Sequence, residues 1–375
     1  MKVVLTGGGT GGHFFPLIAV AQALHDQARL NHYIEPEIHY VSDKSPSEGI
    51  LFDNKMIFHK IGTGKMRIYF SPLNIIDWVR TFFAIFKALF VIFKIYPDVV
   101  FSKGGYAAFP TLFAARILRI PVIIHDSDSV PGRVNRWSGK FARKVALSYP
   151  EASRFFKEEK VAWTGNPIRQ QILQTGGEAS YEFLGLKSTI PTILVLGGSQ
   201  GAQILNDAVM EILPELLQEF QVVHQTGEKN IEKTKGLLDV ILSNKSLKTY
   251  YKPFPFLNDL ETKMAAGAAD LVITRAGSAL LEIAQWGLPA IIIPIAKSHG
   301  DHQRRNAFNY AHNTGSVVIE ENNLTSSVLK EEIRRLFENK EERKAIQKRS
   351  KEFARPKAAH LIADEIMKVI AEHEI

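Results

Sequence analysis

Short apolar runs alternate with longer helix-compatible stretches along almost the whole chain, and each apolar run ends in glycine or polar residues. Val3-Val4-Leu5 leads into GGGTGGH, Gly7 to His13, and the run LIAVAQAL follows Pro16. The same order returns halfway along as PTILVL, then GGSQGA from Gly197 to Ala202, then QILNDAVMEILPELL. Strand, glycine turn and helix, given twice, predict two similarly built α/β domains. DVVFSKGG and PVIIHDSD supply further strands in the first half; QVVHQTG, ADLVITRAG and PAIIIPI do so in the second. In an open parallel sheet their polar ends form the carboxyl edge, where ligands bind. TGNPIR, Thr164 to Arg169, carries turn chemistry and reads as the crossing point between the halves. The last stretch, PKAAHLIADEIMKVIAEHEI, has helical spacing and predicts a terminal helix that packs back on the fold.

One segment breaks the pattern. Leu73 to Tyr96 reads LNIIDWVRTFFAIFKALFVIFKIY, and a helix of that length reaches ~36 Å, enough to cross a bilayer. Arg80, Lys87 and Lys94 recur every seven residues and fall on one stripe. A lysine near the centre of a spanning helix costs roughly 2.5–3.5 kcal/mol, so the segment reads as lying on a surface and not through it. Trp78, Phe82, Phe83, Ile85, Phe86, Leu89, Phe90, Ile92 and Phe93 offer more apolar surface than one sheet face covers. Partial contact with a membrane is expected, against the plainer alternative of a domain helix with a wide core face.

Composition narrows the partners. With 375 residues, 45% hydrophobic and 23% charged, the chain suits two globular domains. Lys and Arg exceed Asp and Glu by 46 to 39, which favours anionic partners such as nucleic acid, acidic lipid or nucleotide sugars. The absence of cysteine removes disulfides, thiolate nucleophiles and Cys-ligated zinc and fits a reducing compartment. Nothing at the N-terminus reads as a signal peptide.

A glycine turn between strand and helix can hold a phosphate on backbone N–H groups and the helix dipole. Gly7, Gly9 and Gly12 fit G-x-G-x-x-G, but the nearest strand-end acid, Asp43, lies well past the spacing a ribose-binding residue needs, so a dehydrogenase is disfavoured. A plain tight turn is the simpler alternative for one such loop. His13 closes the first turn and can accept a proton when neutral or favour a phosphate when charged; a structural cap is the alternative. Asp126 and Asp128 are two apart, and a solvated turn explains them more simply than a magnesium site.

Taken together, GGGTGGH, SKGGYAAFP, HDSDSVPGRVNR, TGNPIR, GGSQGAQILN, HQTG, RAGSALLEIAQWGLP and DHQRRNA stand in the order found in the MurG family of peptidoglycan N-acetylglucosaminyltransferases, which the chain resembles over almost its whole length. The resemblance implies a GT-B fold, two Rossmann-like domains facing across a cleft. Residues 1–165 would bind acceptor and membrane, 166–355 the UDP-sugar, and 356–375 would form a helix packing on the N-terminal domain. It implies inverting transfer from UDP-N-acetylglucosamine to the muramyl 4-hydroxyl of lipid I, giving lipid II, with no cofactor or metal and no nucleic acid partner. The expected location is the cytoplasmic face of the membrane, held peripherally to an anionic inner-membrane surface, with cell-wall synthesis proteins as candidate partners.

Inverting transfer needs a base, stabilisation of the departing diphosphate, and a uridine pocket. By resemblance, Thr10, Gly11, Gly12 and Tyr106 line the substrate surface, while Ser199 and Gln200 hold the donor diphosphate with Arg169 nearby. Glu282 would accept the ribose hydroxyls, and Gln303 and Asn306 would touch the N-acetylglucosamine, beside His302. Many family members read HEQN where this chain reads HDSD, so Asp128 replaces an asparagine that meets donor sugar or acceptor. His13 and Asp128 are the two candidate bases. An epimerase or a glycolipid synthase of the same fold is the rival enzyme reading, and a nucleotide-sugar sensor the non-enzymatic one.

Overall fold

The computed structural model describes residues 1–8, 11–45, 47–64, 73–198, 202–242, 244–296 and 299–373. The chain divides into two compact units, Met1–Arg169 with Arg355–Ile375, and Gln170–Ala354.

The first unit holds a parallel sheet of β1 (Lys2–Gly7), β2 (Glu37–Ser42), β3 (Met56–Lys60), β4 (Val99–Gly104), β5 (Val122–Asp126), β6 (Lys144–Leu147) and β7 (Val161–Trp163), in the order β3-β2-β1-β4-β5-β6-β7. In the second, β8 (Thr192–Leu196), β9 (Gln221–Gln225), β10 (Tyr251–Phe254), β11 (Leu271–Thr274), β12 (Ala290–Ile292) and β13 (Val317–Val318) run β10-β9-β8-β11-β12-β13, again all parallel. Both orders reverse direction beside the first strand of the unit, between β1 and β4 and between β8 and β11. That reversal opens a crevice at the carboxyl ends, the ligand position of doubly wound sheets. These are two Rossmann-like units, as a GT-B fold requires.

Buried runs explain the sheets. β4, β5, β8, β9 and β11 are buried along their whole length, as strands of a parallel sheet with helices over both faces are. The first helix starts earlier than the sequence suggests, at Gly11 and not after Pro16, and runs to Leu30. Pro16 sits in its sixth position, where the missing N–H removes one helical bond. His13 is therefore in a helical first turn.

The terminal helix, Ala358–His373, lies against the Gly11–Leu30 helix in the first unit. Ile362, Ala363, Ile366, Val369 and Ile370 share a core with Leu17, Ile18 and Leu24. Arg143 pairs with Glu372 and Lys144 with Glu365 at the rim. TGNPIR stays with the first unit, and the chain passes to the second directly after it, between Arg169 and Gln170. His125 Nε2 lies 2.9 Å from the Gly165 carbonyl, Lys103 Nζ donates to Asn166 Oδ1 at 3.1 Å, and the Arg169 guanidinium covers the Phe15 ring at 3.8 Å.

The Leu73–Ile95 helix ends where Pro97 disfavours helix for the residue before it, and Tyr96 adopts φ 47°. Ala84, Ala88, Ile92 and Ile95 are buried in a narrow seam, whereas Trp78, Val79, Phe82, Phe83, Phe86, Phe90 and Phe93 are exposed. Among the described residues no helix is long and apolar enough to cross a membrane.

Candidate functional site

In the first unit the crevice between β1 and β4 is bounded by two glycine pairs, Gly7-Gly8 and Gly104-Gly105. Gly104 and Gly105 both have φ +82°, and a Cβ on Gly104 would fall 2.5 Å from Asn135 Oδ1. Only glycine allows that backbone and that approach. A Cβ at Gly105 would sit 3.8 Å from both Cε1 and Nε2 of His13, so the missing side chain leaves room in front of the imidazole.

Beneath these turns lies a buried polar network. Lys103, 1% exposed, has Nζ 2.7 Å from His125 Nδ1 and 3.1 Å from Asn166 Oδ1. With the ammonium donating to Nδ1, His125 is a neutral imidazole whose Nε2–H donates to the Gly165 carbonyl. Burial and the neighbouring Lys103 charge hold His125 well below the usual imidazole range. Asp126 Oδ1 accepts from the Asp128 N–H at 2.9 Å, and Oδ2 accepts from Asn135 Nδ2 at 2.8 Å and from the Gly132 N–H at 3.3 Å. Asn135 also donates to the His125 carbonyl at 3.0 Å. Asp126 thus ties the loop carrying Asp128 to the end of β5. Burial, with the Asp128 charge added, raises its carboxyl to about 6.

His13 is shifted the other way. Burial and then the Lys103 charge lower it to about 4, while Asp128 pulls upward. The imidazole is neutral at physiological pH, as a proton acceptor must be. Tyr106 donates to Asp43 Oδ2 at 2.7 Å, and burial together with that carboxylate raises its phenol. Gly11 and Gly12 open the helix that carries His13. Arg169, expected beside the donor, belongs to the first unit and stacks on Phe15. Thr10, Ser199 and Gln200 lie outside the described residues.

In the second unit the loop after β11 carries Arg275, which is buried, bonds the Ile293 carbonyl at 3.0 Å and pairs with Glu321. The Ala279–Trp286 helix follows, with half-buried Glu282 in its first turn and Gly287 closing it at φ 68°. The His302–Thr314 helix begins with His302 and Gln303 in its first turn and carries Asn306 in its second. Gln303 Oε1 accepts from the Ile295 N–H at 3.1 Å, and buried Asn306 donates to the Ala276 carbonyl at 3.4 Å. These amides brace the loops after β12 and β11 at the carboxyl edge.

The structure therefore brings His13, Asp128 and Tyr106 to one sheet edge, and Glu282, Gln303 and Asn306 to the corresponding edge of the other unit. Sequence reasoning missed Lys103, His125, Asn135 and Asn166. All four stand inside quoted motifs, SKGG, HDSD, GRVNR and TGNP, and a lysine in an otherwise apolar strand was the available signal. No group of three or more His, Asp or Glu among the described residues is arranged to hold a metal ion.

The chain matches the Glycosyltransferase family 28 N-terminal domain over residues 3–147 and the Glycosyltransferase family 28 C-terminal domain over residues 192–362. A UDP-N-acetylglucosamine–N-acetylmuramyl-(pentapeptide) pyrophosphoryl-undecaprenol N-acetylglucosamine transferase of Legionella pneumophila is 37% identical, over 91% of this chain and 90% of its own. The crystal structure of Acinetobacter baumannii MurG superposes with TM-score 0.71 and 27% identity over 98% of this chain and 99% of that one. A UDP-GlcNAc 2-epimerase from Neisseria meningitidis reaches TM-score 0.68 over 98% of this chain and 100% of that one, but at 14% identity it shares the fold alone. By both halves and by its relatives, the chain belongs to the MurG family of N-acetylglucosamine transferases within glycosyltransferase family 28.

Proposed function

We propose that this chain transfers N-acetylglucosamine from UDP-N-acetylglucosamine to the muramyl 4-hydroxyl of lipid I with His13 as the base and Asp128 as its partner. Membership of the family makes it a UDP-N-acetylglucosamine-dependent glycosyltransferase of peptidoglycan synthesis that forms lipid II. The observation that carries the division of roles is the neutral imidazole of His13, on a helix first turn and facing the space that Gly105 leaves open. As the acceptor oxygen attacks the anomeric carbon, His13 takes its proton. The C1–O bond to the diphosphate breaks, and UDP leaves with the bonding pair. Asp128, within electrostatic reach, stabilises the imidazolium that forms.

The donor belongs to the second unit. Glu282 accepts the ribose hydroxyls, Gln303 and Asn306 hold the loops that meet the sugar, and Ser199 and Gln200 take the diphosphate. Thr10, Gly11, Gly12, Tyr106 and Arg169 also contact substrate. Residues 356–375 serve the acceptor unit as a packing helix. The exposed aromatic face of the Leu73–Ile95 helix, flanked by Arg80, Lys87 and Lys94, supports peripheral attachment to an anionic membrane on its cytoplasmic face, where a lipid-linked acceptor is presented and cell-wall synthesis proteins would meet it.

The test is a transfer assay with labelled UDP-N-acetylglucosamine and a lipid I analogue, with diacylglycerol as competing acceptor. Labelled lipid II as the product supports the reading; turnover of the nucleotide sugar alone, or glycosylated diacylglycerol, rejects it.

A further inference from the structure

Buried lysines are rare because an ammonium loses its hydration, and one is retained where fixed acceptors and counter-charges replace the water. Lys103 meets both conditions. Its Nζ is fixed by His125 Nδ1 at 2.7 Å and Asn166 Oδ1 at 3.1 Å, both neutral groups. Its counter-charges are Asp126 and Asp128, which oppose the effect of burial on the ammonium. The titratable groups around it come from every element packed there: His13 from the Gly11–Leu30 helix, His125 and Asp126 from β5, and Asp128 from the following loop. Two of these four titratable neighbours are acidic, and the backbone N–H of one is bonded to the carboxylate of the other. Without a cation beneath them the two carboxylates would repel, and the loop bearing Asp128 would move.

We propose that Lys103 is a positioning residue for the acceptor half of the reaction, its buried ammonium carrying the counter-charge that lets an aspartate stand at 128 beside His13. The proposal rests on the reading of His13 and Asp128 as the proton-handling pair. Lys103 touches no substrate; it acts through the loop that Asp126 ties down and through the charge it presents to His13. Burial lowers the ammonium to about 7 while Asp126 and Asp128 pull it upward, so Lys103 depends on the two aspartates for its charged form.

The test is a cycle of Lys103→Met, Asp128→Asn and the double variant in the full chain, read by thermal melting, by NMR titration of the His13 imidazole and by transfer with calorimetric UDP affinity. Methionine keeps the length of the side chain and removes its charge. Lys103→Met should melt lower than the parent, and adding Asp128→Asn should recover most of that loss. In Lys103→Met the His13 midpoint should rise by about one pH unit, because a cation has been removed, and turnover should fall roughly ten- to hundredfold while UDP affinity is unchanged. If Lys103→Met does not fold, a folded double variant supports the proposal; failure of both assigns Lys103 to packing and overturns it. An unchanged His13 midpoint in folded Lys103→Met, or additive melting losses, also overturns it. Melting and titration do not depend on catalysis. Full turnover in His13→Ala would therefore remove the underlying reading without obscuring the coupling between positions 103 and 128.

Discussion

His13 illustrates how position alters the chemistry of a residue. An imidazole in water titrates near 6.5 and would be half charged just below neutrality. On the first turn of the Gly11–Leu30 helix, burial and then the Lys103 ammonium bring it to about 4, with Asp128 opposing. The charged form is the one disfavoured, so His13 stays neutral as pH falls through 6.5 and takes up its proton near pH 4. NMR of histidine-labelled protein, with the signal assigned by its loss in His13→Ala, should show a midpoint near 4; a midpoint at 6.5 would mean the ring lies in water. The sequence made His13 and Asp128 visible as chemistry at the ends of apolar runs. It could not show the shift, because the burial that dominates it is set by the fold and the added charge comes from Lys103, 90 positions away in β4. Gln303 and Asn306 were visible as amides, but their bonds to the Ile295 N–H and the Ala276 carbonyl are set by the fold and have no local signature.

At the scale of elements, the Leu73–Ile95 helix is two-faced in an unusual sense. Its core side is a thin seam of Ala84, Ala88 and Ile92, and its solvent side is aromatic, with Trp78 71% and Phe90 69% exposed. At about 100° per residue the phenylalanines centre opposite the alanine seam, and Arg80, Lys87 and Lys94 fall between the two. The seven-residue recurrence of charge was legible in sequence. Which apolar side would be buried was not, because small alanines, packed closely against the helix Phe109–Ile117, decide it in place of the larger side chains. Replacing Phe82 and Phe86, whose rings meet edge to face at 4.9 Å, with serine should leave the fold intact and reduce flotation with anionic vesicles. Loss of folding, or equal binding of the parent chain to neutral and anionic vesicles, would contradict a charged membrane-facing surface.

On the scale of the whole molecule, the repeated strand, glycine turn and helix announced two similarly built units; that both sheets share one strand order, with a seventh strand added at the edge of the first, was not written there. The terminal helix was legible as a helix. Its seat on the Gly11–Leu30 helix depends on contacts between the two ends of the chain. TGNPIR belongs to the first unit for a comparable reason: Lys103 and His125 hold it there through Asn166 and Gly165, partners that local turn chemistry does not reveal.

The proposed division gives proton chemistry to the first unit and nucleotide binding to the second. UDP affinity by calorimetry, measured beside turnover in folded His13→Ala and Glu282→Ala, tests it directly. Glu282→Ala should lose on the order of 1.5–3 kcal/mol of UDP binding, the value of hydrogen bonds to a charged group. His13→Ala should keep its UDP affinity and lose turnover by roughly 10²–10⁴-fold. Unchanged UDP affinity in Glu282→Ala together with near-normal turnover in His13→Ala would contradict the assignment of both residues, and collapse confined to Asp128→Asn would make Asp128 the base.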